Sequence, residues 1–191
     1  FGNVYVLGIS YLGESKNEFV TIKYTPSGNE EWVAHYNGSK TYNNRPIGMA
    51  FDMQGDICVT GASYGDGTDY DITTIKYSKT GVEEWVARFD GRYHGDDRPS
   101  TIYIDASDNI YLTGESFNDI VTVKYNSAGI EQWVDYYNGP GASRDMGTAI
   151  DVDNFGNVYV TGHGDGTETN TDYITIKYSA IGKRQWSQRY S

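Results

Sequence analysis

One cysteine, Cys58, occurs in 191 residues, so no disulfide can form within the chain and packing alone must hold the fold. A lone cysteine in a domain of this size reads as a small buried hydrophobe. Basic residues are few: 15 Lys and Arg against 26 Asp and Glu, a formal net charge of -11. That balance argues against a phosphate-backbone binder, which nucleic acid would repel, and against docking on anionic lipid. No run of about eighteen apolar residues occurs, so no membrane insertion is expected. No secretory leader is visible, and no helical period appears anywhere.

Turn and strand formers are abundant instead, with 23 Gly and 18 Tyr. They recur in register. Tryptophans stand at Trp32, Trp85, Trp133 and Trp186, and a Lys-Tyr pair precedes each by nine residues, at Lys23, Lys76, Lys124 and Lys177. A glycine ends a Val/Ile/Tyr run at Gly8, Gly61, Gly114 and Gly162. Three landmarks in register over the whole chain define four tandem copies, at about 1–38, 39–91, 92–139 and 140–191.

Each copy resolves into short strands. In the second, Pro46 to Asp52 alternates, with Met49 and Phe51 on one face and small Gly48 and Ala50 on the other; Ile102 and Ile104, then Ile150 and Val152, hold the same apolar positions. That period of two marks a strand. A Gly/Asn-bearing turn follows at 53–56, 107–109 and 154–157, where positive φ is needed. The second strand is Ile57 to Gly61, the third Ile72 to Tyr77, and the fourth carries Trp85 to Phe89. A four-stranded antiparallel sheet cannot bury both faces alone, whereas sheets stacked around an axis can. The expected fold is all-β: a β-propeller of four tandem four-stranded antiparallel blades, the first lacking its first strand. A β-solenoid is the alternative, but its rungs are shorter and usually lack paired hairpin turns.

The run Asp153 to Gly162, with Thr175 to Tyr178 and Gly129 to Gly139, resembles the bacterial seven-bladed β-propeller repeat family, SBBP. The resemblance covers essentially the whole chain, with departures at Leu7, Cys58, Asp108 and Ser187. It implies a secreted or cell-surface bacterial protein and carries no catalytic set. Because the chain opens at a second strand, an arc of a larger propeller is expected. Further blades would come from the same longer chain or from a second copy; a self-contained ring with one defective blade is the alternative.

The long loops, joining strand two to three and strand four to the next blade, share one face. They run over 10–17, 64–70 and 164–171, and over 38–44, 91–97 and 139–145. Loops on a rigid scaffold are where binding sites gather, and this face holds Tyr11, Tyr42, Tyr64, Asp66, Asp69, Tyr93, His94, Asp96 and Asp165. Aromatics among Asn, Asp and Gly suit a carbohydrate or protein partner; solvated loop residues are the plainer reading. The stretches 65–69 and 164–168 offer oxygen ligands from Asp66, Asp69, Asp165 and Glu168, although neither has EF-hand spacing. Beyond Ca²⁺ at these positions no cofactor is expected.

The recurrent charges read as construction. An acid precedes each lysine by five residues, at Glu18, Asp71, Asp119 and Asp172. The lysine stems are expected between blades, with their heads on a carboxylate or carbonyl. His35, His94 and His163 fall at non-equivalent positions and form neither a metal triad nor a Ser-His-Asp pattern. Three functional readings follow: a non-catalytic interaction scaffold for glycan or protein, a structural repeat of a filament, sheath or surface layer, and, by fold analogy alone, a lyase or hydrolase with a central-channel site.

Overall fold

A computed structural model of the chain describes residues 2–13, 16–38, 43–141, 144–167 and 170–191. The described residues form fifteen strands in four antiparallel sheets, each a meander in chain order. The first sheet has three strands, β1 (Val4–Gly13), β2 (Lys16–Tyr24) and β3 (Glu30–Tyr36). The second has β4 (Arg45–Phe51), β5 (Ile57–Tyr64), β6 (Tyr70–Tyr77) and β7 (Glu83–Phe89); the third has β8 (Asp97–Ile104), β9 (Ile110–Ser116), β10 (Asp119–Tyr125) and β11 (Glu131–Tyr137). The fourth has β12 (Met146–Val152), β13 (Val158–Asp165), β14 (Thr171–Tyr178) and β15 (Arg184–Tyr190). The sheets do not close into a ring, so the molecule is an arc of a propeller.

Hydrophobic packing lies between sheets. One cluster joins Phe19, Ala34 and Trp32 of the first sheet to Ile57, Val59, Ile75 and Met49 of the second. A second sets Cys58, Ile72 and Phe89 against Ile102, Ile110, Leu112 and Val123. The third sets Tyr111, Ile120 and Trp133 against Ile150, Val158, Val160 and Ile176. Because side chains alternate along a strand, each inner sheet gives one set of residues to the sheet before it and the other set to the sheet after. That accounts for the burial of both faces of β5, β6, β9 and β10.

The tryptophans lock neighbouring sheets. Trp32 lies under the β6–β7 turn, where a Cβ at Gly81 would come within 2.7 Å of the indole. Its Nε1 donates to the Lys79 carbonyl at 3.1 Å. Trp85 repeats this on the Gly129 turn, donating to the Ser127 carbonyl at 3.2 Å, and Trp133 packs on Gly182. All three glycines have positive φ, 84°, 74° and 78°, so the turn conformation and the close indole both demand a residue without Cβ.

The recurring lysines sit within the sheets, and two of their heads meet a carbonyl or a carboxylate, Lys23 on the Lys79 carbonyl at 3.1 Å and Lys76 on Asp52 at 2.9 Å. In three of the sheets the acid five residues before the lysine pairs with the last strand of its own sheet. Asp71 Oδ2 accepts from Arg88 at 2.7 Å, Glu18 meets His35 at 2.7 Å, and Asp172 accepts from Arg189 at 3.4 Å. In the third sheet Tyr136 stands at the basic position, and the Arg92 guanidinium lies over its ring at 4.0 Å.

Strands run further than the apolar alternation. The segment 10–17 is mostly strand, since β1 continues to Gly13 and β2 begins at Lys16. Tyr64, Tyr70 and Asp165 likewise belong to strand ends. Backbone pairing continues past the last buried side chain, as in Gly13↔Lys16, Tyr64↔Tyr70 and Asp165↔Thr171.

Candidate functional site

The loops 65–69 and 90–96 meet between the second and third sheets, with Asn43 beside them. They enclose an open cleft of about 610 Å³ lined by Asn43, Tyr64, Gly65, Gly67, Thr68, Asp69, Tyr70 and His94. Its aromatic wall is fixed from behind. Tyr64 and Tyr70 face each other across the end of the β5–β6 hairpin, rings edge to face with centroids 5.5 Å apart. The guanidinium groups of Arg45 and Arg98 lie 5.4 and 5.0 Å from the Tyr70 ring, a contact that favours a fixed ring.

The polar wall is cross-linked. Tyr64 Oη donates to Asp69 Oδ1 at 3.1 Å, and the Asp69 amide reaches the His94 carbonyl at 3.4 Å. His94 has φ 53°, a left-handed conformation uncommon for a residue with a Cβ, and its Nδ1 lies 2.6 Å from Asp90 Oδ2. Beneath these groups Asp71 holds Thr68 Oγ1 at 3.1 Å as well as Arg88. Arg88 also donates to the Ser63 carbonyl at 3.0 Å, fastening the cleft floor to β5.

Of the loop residues singled out in the sequence, Tyr64, Asp69 and His94 line this cleft. Asp96 stands beside it, accepting from Arg98 at 2.7 Å. Tyr93 turns onto Phe117, centroids 4.8 Å apart. Asp66 is exposed in the β5–β6 loop. Tyr11 is an exposed residue of β1 on the first sheet, and Asp165 ends β13 on the fourth, accepting from Thr171 at 3.2 Å; neither lines the cleft. Tyr42 and Glu168 lie outside the described residues.

The two stretches named for Ca²⁺ lie at separate sheets, Asp66 and Asp69 in the β5–β6 loop and Asp165 at the end of β13. Among the described residues, the carboxylates near enough to share an ion are Asp71, Asp90 and Asp97. Each has a protein partner: Arg88 for Asp71, His94 for Asp90 and the Gly91 amide, at 2.6 Å, for Asp97. Burial pushes the Asp97 carboxyl up to about 6, against the downward pull of Ser116 and the Gly91 amide.

Asp97, absent from the sequence-based candidates, ties the loop between two sheets. Asp145 likewise accepts from the Gly139 amide at 2.5 Å, and Asn44 Nδ2 donates to the Asn17 carbonyl of β2 at 2.6 Å. The signal was an Asp or Asn six residues after Gly38, Gly91 and Gly139. Tyr70, Thr68 and Asn43 were also missed; nothing in their spacing shows that the loops bearing them meet.

Comparison with known proteins agrees with this architecture. Residues 132–168 match the family model SBBP, a beta-propeller repeat. No curated protein matches the chain. Among solved structures, a protein of unknown function from Bacteroides caccae is 10% identical with a TM-score of 0.50, over 97% of this chain and 82% of that one. A luciferin-regenerating enzyme is 12% identical with a TM-score of 0.53, over 95% of this chain; this chain spans 59% of its length. A fucose lectin from Kordia zhangzhouensis is 13% identical with a TM-score of 0.42, over 75% of this chain and 97% of that one. Identities this low speak to the fold alone. The chain is thus an all-β propeller arc that matches, at 132–168, the SBBP beta-propeller repeat.

Proposed function

We propose that the chain is a non-catalytic extracellular propeller module that binds carbohydrate in the cleft between its second and third sheets. The observation that carries this reading is the composition of the cleft wall: Tyr64, held against Tyr70, beside the polar groups of Asn43, Thr68, Asp69 and His94. A sugar ring offers apolar C–H faces and a rim of hydroxyls, which an aromatic face beside fixed donors and acceptors complements. The strand ends and the guanidinium groups behind Tyr70 hold the wall in place before a ligand arrives, so little ordering entropy remains to oppose binding.

An extracellular location is consistent with the cysteine. Cys58 is buried in the cluster between the second and third sheets, and burial pushes its thiol up to about 12, so it is inert where free thiols are oxidised. A glycan array tests the binding: the wild type retains a defined subset of glycans, and Tyr64→Ala weakens that binding about tenfold with an unchanged melting temperature. An array without signal, or equal binding by Tyr64→Ala, contradicts the reading.

A further inference from the structure

Among the described residues two sheet faces of the arc are uncovered, and they are opposite halves of an interface the molecule already builds three times. At each internal interface the earlier sheet offers its tryptophan with aromatic or other apolar neighbours, and the later sheet offers aliphatic side chains and one tyrosine, Tyr77, Tyr125 or Tyr178. Trp32, Phe19 and Tyr36 meet Ile57, Val59 and Ile75; Trp133, Tyr111 and Tyr137 meet Val158, Val160 and Ile176.

The outer face of the fourth sheet carries the first half. Tyr173, at the position of the buried Phe19, Ile72 and Ile120, is 73% exposed; Tyr190, at the position of Phe89 and Tyr137, is 76% exposed; Trp186 is 40% exposed. The outer face of the first sheet carries the second half. Val4 and Val6, at the positions of the fully buried Ile57 and Val59, are 52% and 43% exposed. Val6, Val20, Ile22 and Val33 line an open apolar groove of about 410 Å³ on that face.

The tryptophan-on-turn contact is divided in the same way. Gly28 has φ 84°, the same as Gly81, yet among the described residues nothing lies within 4 Å of where its Cβ would be, whereas Gly81 has the Trp32 indole at 2.7 Å. Trp32 Nε1 and Lys23 Nζ both donate to the Lys79 carbonyl, each at 3.1 Å. Pro26 occupies the matching place in the β2–β3 turn, and Trp186 and Lys177 are the matching donors of the fourth sheet.

We propose that two copies of this chain associate head to tail, the fourth sheet of each seated on the first sheet of the other, with Trp186 on the partner's Gly28 turn. One chain carries both halves, so a twofold pair forms two identical interfaces and covers every exposed apolar face described above. An interface between unlike patches closes into a ring when the rotation permits and otherwise grows without end; two four-sheet arcs meeting at both ends are the closed case. Uncovered apolar sheet faces drive such association, and the packing needed at the joint is the packing already present at each internal joint.

Light scattering coupled to size-exclusion chromatography tests this on the 191-residue chain. The expected mass is twice the 21.3 kDa of one copy. Trp186→Ala and Val6→Arg alter opposite faces, both solvent-exposed in the single copy, so each is expected to be folded by circular dichroism and to run at the mass of one copy. Mixing the two variants restores one intact interface, wild-type fourth sheet on wild-type first sheet, and returns the doubled mass. A wild type at single mass, open-ended larger species, variants that remain paired, or a mixture that stays unpaired would each overturn the proposal.

Discussion

At position 58 a single residue change redirects a charge. In the third and fourth sheets a tyrosine holds the equivalent place, and Tyr111 and Tyr159 donate to Asp105 and Asp153 at 2.9 and 3.1 Å. Lys124 and Lys177 then lie over those rings, 5.1 Å from each centroid. Cys58 has no hydroxyl to offer, and Lys76 reaches Asp52 directly at 2.9 Å and Glu84 at 3.3 Å. Burial opposes the Lys76 charge, but the two carboxylates outweigh it and its pKa is raised. Lys76→Met leaves Asp52 buried without its counter-charge and is expected to cost about 3 kcal/mol in chemical denaturation; an unchanged midpoint contradicts the assignment. The lysine recurrence was legible in the sequence. Its partners were not, because they depend on which residue faces the lysine from the neighbouring strand.

Asp97 gives a pH signature on the same scale. Its folded-state pKa of about 6 lies above the 3.8 of an ordinary aspartate, so the folded protein holds this proton more tightly than the unfolded chain does. Its unfavourable ionisation is absent below about pH 4, grows as the pH rises to about 6, and is complete above that. Asp97→Asn is expected to match wild type near pH 4 and to exceed it at pH 7 by on the order of 2 kcal/mol. Asn44 already occupies the equivalent position one sheet earlier. Equal stability of the two proteins at both pH values contradicts the assignment.

At the scale of elements, the turns between third and fourth strands set the spacing of the sheets. Gly28 and Gly81 share a φ of 84°, but only Gly81 has an indole against it. Alanine at Gly28 is expected to cost about 1 kcal/mol for the left-handed backbone, and alanine at Gly81 about 3 kcal/mol, since the indole must also give way. Measuring both in a Trp186→Ala background keeps Gly28 uncovered; equal costs contradict the locking role of Trp32. Strand order and the faces of the apolar positions could be read from the sequence, because Met49, Ile102 and Ile150 obey the alternation that their clusters require. Strand ends could not. At Tyr11 and Tyr64 the side chains turn polar or exposed while backbone pairing continues, and pairing leaves no mark on composition.

Over the whole molecule, stability accumulates sheet by sheet, as expected of repeats that contact only their neighbours. The cleft belongs to this scale too. Tyr64, Asp69 and His94 were visible as loop residues, but their meeting with Asn43 depends on how two successive sheets splay, which no local pattern encodes. Its position makes binding testable residue by residue. In a titration of the isotopically labelled chain with a glycan retained on the array, amide shifts followed by nuclear magnetic resonance are expected to cluster at 64–70 and 93–96. Shifts confined to the opposite face, at the turns 53–56, 106–109 and 154–157, or no shifts at saturating glycan, would contradict the account.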